Sequence, residues 1–105
     1  MTTDEFFTLY AAGERDFSLV DLSDFNANGR DIRNCKFLGA YLFWADLRNA
    51  DLRNCDFRGA QLYGCQLLGA DFRNCDIRVV DLDAVDITGV TFTGATLHGT
   101  PRGLH

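Results

Sequence analysis

The sequence has a single proline, Pro101, and no tract rich in Ser, Pro or Gly, which argues against linkers and low-complexity tails. No apolar run approaches the roughly 18 residues that a transmembrane helix needs. The first residues, MTTDEFFTLYAAGERD, lack the basic start and long apolar segment of a secretory signal peptide. A chain of 105 residues with these features is predicted to form one domain in the cytoplasm.

Positive charge is also scarce, with 10 Lys and Arg against 15 Asp and Glu, a net charge of −5. This balance argues against a general nucleic-acid binder, which needs a basic surface.

Catalytic patterns are missing as well. Serine occurs only at Ser18 and Ser23, and no glycine-rich phosphate-binding loop is present. We therefore expect no enzyme activity, no cofactor and no small-molecule substrate.

The dominant pattern is a repeat of five residues that runs from Asp16 to residue 100. The second residue of each pentad is Leu, Phe or Ile in 16 of 17 cases, and Ala27 is the exception. The fifth residue is Ala, Cys or Val in 14 of 16 cases, and Phe25 and Arg30 are the exceptions. Neither a helical period nor a strand period fits this pattern. A strict period of five predicts that every pentad is the same structural step.

Side-chain alternation assigns each pentad position to the inside or the outside. Residues two apart in extended chain point the same way, so the fifth residue of one pentad and the second of the next both point inward. The first and third residues then point outward. The third and fourth positions, often Arg-Asn, Arg-Gly or Leu-Gly, supply a corner, because Gly and Asn tolerate a positive φ. Short edges joined by regular corners predict a solenoid.

The sequence over residues 16–100 resembles the pentapeptide-repeat family. The shared pattern is a small residue, then Asp or Asn, then Leu or Phe, then two variable positions. The resemblance implies an all-β solenoid, a right-handed four-sided parallel β-helix with four pentads per coil. Seventeen pentads then give about four coils. The stretch YAAGERDFS is similar to the openings of small cyanobacterial members.

A second period of 20 residues supports the four-sided shape without the resemblance. One inward column is apolar throughout: Phe17, Phe37, Phe57, Ile77 and Leu97. Two neighbouring outward columns carry opposite charges: Asp31, Asp51 and Asp71 beside Arg33, Arg53 and Arg73. Stacked coils place like residues in ladders, and these adjacent charges are expected to cancel.

The cysteines all fall at the small inward position: Cys35, Cys55, Cys65 and Cys75. Stacked thiols would lie about 4.8 Å apart, farther than the roughly 3.8 Å between the Cβ atoms of a disulfide. A line of thiols without histidine is also a poor zinc site. We predict buried, reduced thiols that serve packing, as suits a cytoplasmic protein. No metal site is predicted.

The ends of a solenoid need caps. Thr2 or Thr3 before an acidic pair indicates a helix start, and Gly13 indicates a helix stop. A short capping helix is therefore expected over about residues 4–12.

The predicted organisation is a capping helix and lead-in (1–14), a β-helix (15–100) and a tail (101–105). Two arrangements are open at the C-terminal end of the solenoid. Leu104 folds back as a plug, or the last coil packs on another copy in an end-to-end dimer.

The first coil departs from the repeat. A large Phe25 and a small Ala27 exchange the usual sizes, which could conserve volume. Arg30 falls at an inward position and is expected to reach an acidic group such as Glu14. Residues 26–30 form either a regular edge or a loop.

The run AYLFWAD places several aromatic residues side by side. Leu42 is an inward residue, Tyr41 and Phe43 flank it and point outward, and Trp44 occupies the corner. Tyr63 comes 20 residues after Phe43 and is expected to stack directly above it. We call these four outward residues the aromatic face: Tyr41, Phe43, Trp44 and Tyr63.

Two interpretations of the aromatic face are open. Cross-strand aromatic pairs stabilise a sheet by roughly 0.2–1 kcal/mol each. An exposed cluster that holds the only tryptophan is also typical of an interface. Acidic residues stand at the ends of this face: Asp21, Asp81 and Asp83.

The sequence predicts a non-enzymatic structural or protein-interaction module that binds a protein partner, or its own copy, and neither nucleic acid nor membrane. The resemblance suggests an alternative, because some family members are acidic rods that mimic DNA and inhibit a type II topoisomerase, DNA gyrase. Arginines interrupt the acidic surface of this chain: Arg33, Arg48, Arg53, Arg58, Arg73 and Arg78.

Overall fold

A computed structural model describes residues 1–82 and 85–96 of the chain. This part contains the helix α1 (Thr3–Ala11), followed by turns that are linked by isolated parallel β-bridges. Each bridge joins residues 20 apart, from Asp16 with Lys36 to Asp76 with Thr96. One coil is therefore four pentads, as the second period predicted. The described residues form no strand longer than a single bridge and no helix able to cross a membrane.

Several predictions for the C-terminal end of the solenoid concern residues outside the described part of the chain. They are the Leu104 plug, the dimer contact through the coil that ends at Leu97, and the tail 101–105. The three-part division of the chain stays a prediction.

Each pentad is closed by a turn and tied to the coils on either side. The Ala40 N–H donates to the Phe37 carbonyl at 3.0 Å and closes its pentad. The Phe37 N–H donates to the Asp56 carbonyl at 2.7 Å, and the Gly39 N–H donates to the Arg58 carbonyl at 2.9 Å. Repetition of this scheme gives the main-chain polar groups partners within the solenoid. Outward side chains are left free for other roles.

The corner of each pentad lies at its fourth residue. In every pentad whose fourth residue is described, φ there is positive, between 58° and 76°, as in the third residue of a type II turn. Gly and Asn occupy most of these corners. Leu19, Trp44 and Val79 occupy three others, where an apolar L-residue is strained.

The inward side chains form one continuous apolar core, as predicted. The buried side chains of the described part are all apolar or thiol-bearing. Phe37 lies at its centre, with ring centroids 6.1 Å from Phe17 and 5.1 Å from Phe57. Close packing of alternating large and small residues fills the interior of the described coils.

The helix α1 covers the first coil, which confirms the predicted cap. The Glu5 N–H donates to Thr2 Oγ1 at 3.1 Å, and the Thr2 N–H donates to Glu5 Oε1 at 3.3 Å. This capping box begins the helix. Phe6 is buried beneath it, with centroids 4.3 Å from Phe17 and 4.6 Å from Phe25. Phe25 is accommodated at this end because the helix supplies a matching aromatic surface.

The pentad 26–30 is a regular edge and not a loop. The Ala27 N–H donates to the Asp46 carbonyl at 2.8 Å, and the Arg30 N–H donates to the Ala27 carbonyl at 2.9 Å. These are the same bonds as in the other pentads.

The expectation that Arg30 turns inward toward Glu14 is wrong. Arg30 is exposed, and its guanidinium lies 3.7 Å from the centroid of the Phe7 ring. The Glu14 carboxylate instead accepts hydrogen bonds from the Arg15 and Asp16 N–H groups. Stacking on a ring of α1 keeps the Arg30 charge in water, which avoids the cost of burying it.

Candidate functional site

The four residues of the aromatic face lie together in two adjoining coils, as predicted. Leu42 is buried between them and anchors the segment in the core. Trp44 and Tyr63 are 58% and 55% exposed, and Tyr41 is 39% exposed. Phe43 is half-buried. Inward Leu42 therefore fixes the backbone of its outward neighbours Tyr41 and Phe43.

The rings pair differently from the predicted stack of Phe43 and Tyr63. Tyr63 packs edge-to-face with Trp44, with centroids 5.3 Å apart and planes at 85°. Phe43 packs against Tyr41, at 5.9 Å and 30°. The main chain does place Tyr63 above Phe43, but the corner indole leans toward the next coil and reaches the Tyr63 ring. Edge-to-face contact suits the quadrupoles of the two rings.

The lean of Trp44 depends on a glycine that sequence reasoning missed. Gly64 is the next corner along the rod, and a Cβ there would overlap the Trp44 ring. The signal was available, since Gly64 follows Trp44 by one 20-residue period.

Acidic residues border the aromatic face on the coil nearest α1. Asp21 forms a β-bridge with Tyr41. Its carboxylate accepts hydrogen bonds from the Ser23 hydroxyl at 2.7 Å and the Ser23 N–H at 2.9 Å, and these bonds lower the pKa of Asp21. Asp24 is the exposed corner directly before Trp44 in the 20-residue period, and sequence reasoning missed it. Asp81 is exposed at the far end, and Asp83 lies outside the described residues.

The neighbouring faces carry ion pairs in place of aromatic rings. Arg53 Nε lies 2.8 Å from Asp51 Oδ1, and Arg53 Nη2 lies 2.7 Å from Asp51 Oδ2. The hydrogen bonds from Arg53 hold the pKa of Asp51 below its usual range. Five further pairs share this two-point geometry: Asp31–Arg33, Asp46–Arg48, Asp56–Arg58, Asp71–Arg73 and Asp76–Arg78.

The ion pairs also connect along the rod. Arg33 Nε lies 3.7 Å from Asp51 Oδ2, and Arg58 Nε lies 3.5 Å from Asp76 Oδ2. These contacts confirm that opposite charges lie side by side in the predicted ladders. Much of the acidity of these faces is therefore neutralised locally.

The thiols are buried, as predicted, and three of them donate to a main-chain oxygen of the preceding coil. Cys55 Sγ lies 3.1 Å from the Ile32 carbonyl oxygen, and Cys65 Sγ lies 2.7 Å from that of Leu42. Burial raises the pKa of Cys65 to about 12. Residues 1–82 and 85–96 hold no cluster of three or more His, Cys, Asp or Glu suited to a metal ion.

A shallow depression of about 370 Å³ lies on another face. It is lined by Arg48, Gln66, Leu68 and Asp86, among others. Arg48 is already held by Asp46 at 2.8 Å, so this depression offers no uncommitted charge from that side chain.

A rod of closed pentads around an apolar column is the architecture of a pentapeptide-repeat solenoid. The family model for pentapeptide repeats, with eight copies, matches residues 40–78. Residues 40–78 therefore carry pentapeptide repeats, and the described residues have the right-handed, four-sided β-helix of pentapeptide-repeat proteins. The resemblance predicted from the sequence is confirmed.

One solved structure matches nearly the whole chain. It is alr5209, a pentapeptide repeat protein from Nostoc Pcc 7120, with 28% identity and a TM-score of 0.84. The match covers 92% of this chain and 96% of that one.

Two further cyanobacterial structures match less closely. Rfr23 of Cyanothece 51142 has 24% identity and a TM-score of 0.44, with 83% of this chain covering 63% of that one. HetL of Nostoc sp. strain PCC 7120, described as involved in heterocyst differentiation regulation, has 24% identity and a TM-score of 0.43. That match covers 76% of this chain and 44% of HetL. No protein with a curated functional description matches the chain.

Proposed function

We propose that this protein is a non-enzymatic, cytoplasmic interaction module that presents the aromatic face to a protein partner. The solenoid of about four coils serves as a rigid support. The bridges support this length, because they run from Asp16 to Thr96 and each of them joins two residues that are 20 apart. The free, buried thiols suit a reducing compartment.

The exposed indole of Trp44 at a strained corner is the observation that carries this proposal. Its φ is 61°, in the region that favours Gly or Asn, and its side chain is 58% exposed. A ladder that only stabilised the sheet would not require a large apolar ring at this position. Leu19 and Val79 share the strain, but only Trp44 combines it with an aromatic ring that packs on another exposed ring, which favours a role in binding.

The other faces support the same interpretation by contrast. Six of their twelve described outward third positions are arginines that are paired with aspartates at 2.6–2.9 Å. On the aromatic face, the corresponding described positions are Ser23, Phe43 and Tyr63. Aromatic residues are enriched at the buried centres of protein interfaces.

The test compares a variant of the aromatic face with a variant of the face that bears Leu68. Trp44→Gly combined with Phe43→Ser removes two rings and relieves the corner strain. Leu68→Ser is the control, since Leu68 is 50% exposed on a different face. Solution mass by light scattering and affinity capture from an extract of the source organism are measured for each protein.

We expect the Trp44→Gly/Phe43→Ser variant, but not Leu68→Ser, to lose a captured protein or a self-association seen with the wild type. Equal capture and equal mass for all three proteins would overturn the proposal. Circular dichroism and the urea midpoint show that the variants are folded.

DNA mimicry is not favoured by the charge distribution. Six aspartates are each held at two points by an arginine, so no sustained negative stripe runs along those faces. We expect no inhibition of gyrase supercoiling at a stoichiometric dose of the protein. Inhibition at that dose would favour mimicry over the aromatic interface.

A further inference from the structure

We infer that the aromatic face recognises an arginine-bearing basic segment of its partner. This inference rests on the proposed function and names the chemistry of the partner. The observations that lead to it are the two carboxylates beside the rings, the lack of cationic side chains on this face and the behaviour of arginines elsewhere in the chain.

The two aspartates lie on the coil next to that of Tyr41 and Trp44, one strand spacing away along the backbone. Asp21 is bridged to Tyr41, and the Asp24 N–H donates to the Phe43 carbonyl at 2.9 Å. Asp24 thus occupies the corner directly before Trp44 along the rod. Stacked coils are about 4.8 Å apart, so a guanidinium over the Tyr41 or Trp44 ring lies within reach of a carboxylate.

The pentads that bear Asp21, Asp24 and the rings supply no cationic side chain. The pentads 21–25, 41–45, 61–65 and 81–85 contain no Lys, Arg or His. The Asp21 carboxylate accepts from Ser23, a neutral residue. The Met1 ammonium is nearby and donates to the main-chain oxygen of Asp21 at 3.0 Å. Aromatic rings bordered by acids are complementary to a cation that has a flat apolar surface.

Two arginines that have no Asp two residues before them stack on aromatic rings instead. The six paired arginines each follow an Asp by two residues, whereas Arg15 follows Gly13 and Arg30 follows Asn28. The Arg15 guanidinium lies 3.7 Å from the Tyr10 ring centroid. The Arg30 guanidinium lies 3.7 Å from that of Phe7. The exposed rings of Tyr41, Trp44 and Tyr63 offer the same surface to an arginine of another molecule.

The experiment follows the fluorescence of Trp44, the only tryptophan. The probes are capped peptides with four Gly-Arg repeats, four Gly-Lys repeats or four Gly-citrulline repeats. Citrulline keeps the planar shape of arginine without its charge. We expect the arginine peptide to shift the Trp44 emission, the lysine peptide to bind more weakly and the citrulline peptide to have no effect. About 0.5 M NaCl should weaken the arginine complex.

Two double variants separate this face from the general acidity of the protein. Asp21→Asn/Asp24→Asn removes two charges beside the rings. Asp16→Asn/Asp86→Asn removes two exposed charges from other faces, and Asp86 accepts from Thr88 as Asp21 does from Ser23. We expect the first pair to weaken arginine-peptide binding by about fivefold and the second by less than about twofold.

The results separate this inference from the proposed function. Equal binding of the citrulline peptide, equal weakening by both double variants, or a second copy of the chain seated on the rings would overturn the arginine inference alone. So would lack of peptide binding while capture of a partner still depends on Trp44. If Trp44→Gly/Phe43→Ser changes neither capture nor solution mass, both proposals fail.

Discussion

The indole of Trp44 lies on the backbone of Gly64, one coil further along the rod. A Cβ at Gly64 would overlap the Cε3 and Cζ3 atoms of the indole, and the φ of Gly64 is +74°. The most exposed aromatic side chain of the aromatic face therefore depends on the smallest residue at the next corner.

Gly64→Ala should destabilise the fold through both its φ and the displaced indole. We expect a loss of about 1 kcal/mol from the positive φ and a further 1–3 kcal/mol, roughly, from overpacking against Trp44. Gly29→Ala is the matched control, since Gly29 has φ +69° and no neighbour within 4 Å of a Cβ. In the Trp44→Gly background, the cost of Gly64→Ala should fall to that of Gly29→Ala. Urea unfolding measures the free energies of the wild type and of the four variants, and equal costs of Gly64→Ala in both backgrounds would contradict the contact.

Val79→Asn should stabilise the protein by about 1 kcal/mol. Val79 has φ 63° and is 83% exposed, so its β-branched side chain is strained without compensating burial. Asn is accepted at the equivalent corners of another face, such as Asn54 with φ 65°. Val79→Thr remains β-branched and should show no gain. A thermal or urea midpoint that is unchanged or lower for Val79→Asn would show that the strain is not released.

Arg53→Gln should remove an acid-sensitive part of the stability. Hydrogen bonds from Arg53 lower the pKa of Asp51 in the folded protein. The stability they contribute is present above the unfolded pKa, about 3.9, and is lost as the pH falls through the lower folded value. The variant should be less stable than wild type at pH 7 and approach it in acid. Thermal midpoints across pH and a titration of the Asp51 carboxyl by NMR measure this, and a parallel shift at every pH would argue against it.

The buried thiols should be unreactive while the protein is folded. Burial raises the pKa of Cys65 and of Cys75 to about 12, so little thiolate forms at pH 8. A raised pKa contributes stability that is full below the unfolded pKa, about 8.5, and that declines as the pH rises above it. Thiol labelling should therefore follow the rate or extent of unfolding. Cys65→Ala should reduce the fall in stability above pH 9 by up to about 1.4 kcal/mol per pH unit. Rapid labelling of the native protein would contradict this account.

The pentad register could be predicted from the sequence because it depends on a repeated local pattern. Phe17, Leu42 and Cys55 were assigned inward from alternation and position alone, and all three are buried. The capping helix could be predicted for a similar reason, since Thr2 and Gly13 are local signals. The packing of Phe25 and Ala27, where the repeat breaks, could not be predicted in the same way. Phe25 packs against Phe6 of α1, which lies outside the repeat.

The ring contacts of the aromatic face could not be predicted from the period. The 20-residue spacing placed Tyr63 above Phe43, but spacing does not specify the rotamer of a corner indole. Trp44 reaches Tyr63 because Gly64 leaves room on one side. Arg30 illustrates the same limit: its pentad position pointed inward, whereas a ring of α1 allowed its charge to remain in water.

The sequence by itself determined the repeating step, the inward columns and the residues that share a face, because each follows from a strict local period. The period already placed opposite charges side by side, and the tertiary structure decided the geometry of the outward contacts. Six arginines close on aspartates at the same level, Arg15 and Arg30 stack on rings of the cap, and Trp44 crosses to the next coil. These contacts depend on space and charge supplied by other coils, and a five-residue pattern carries no information about either.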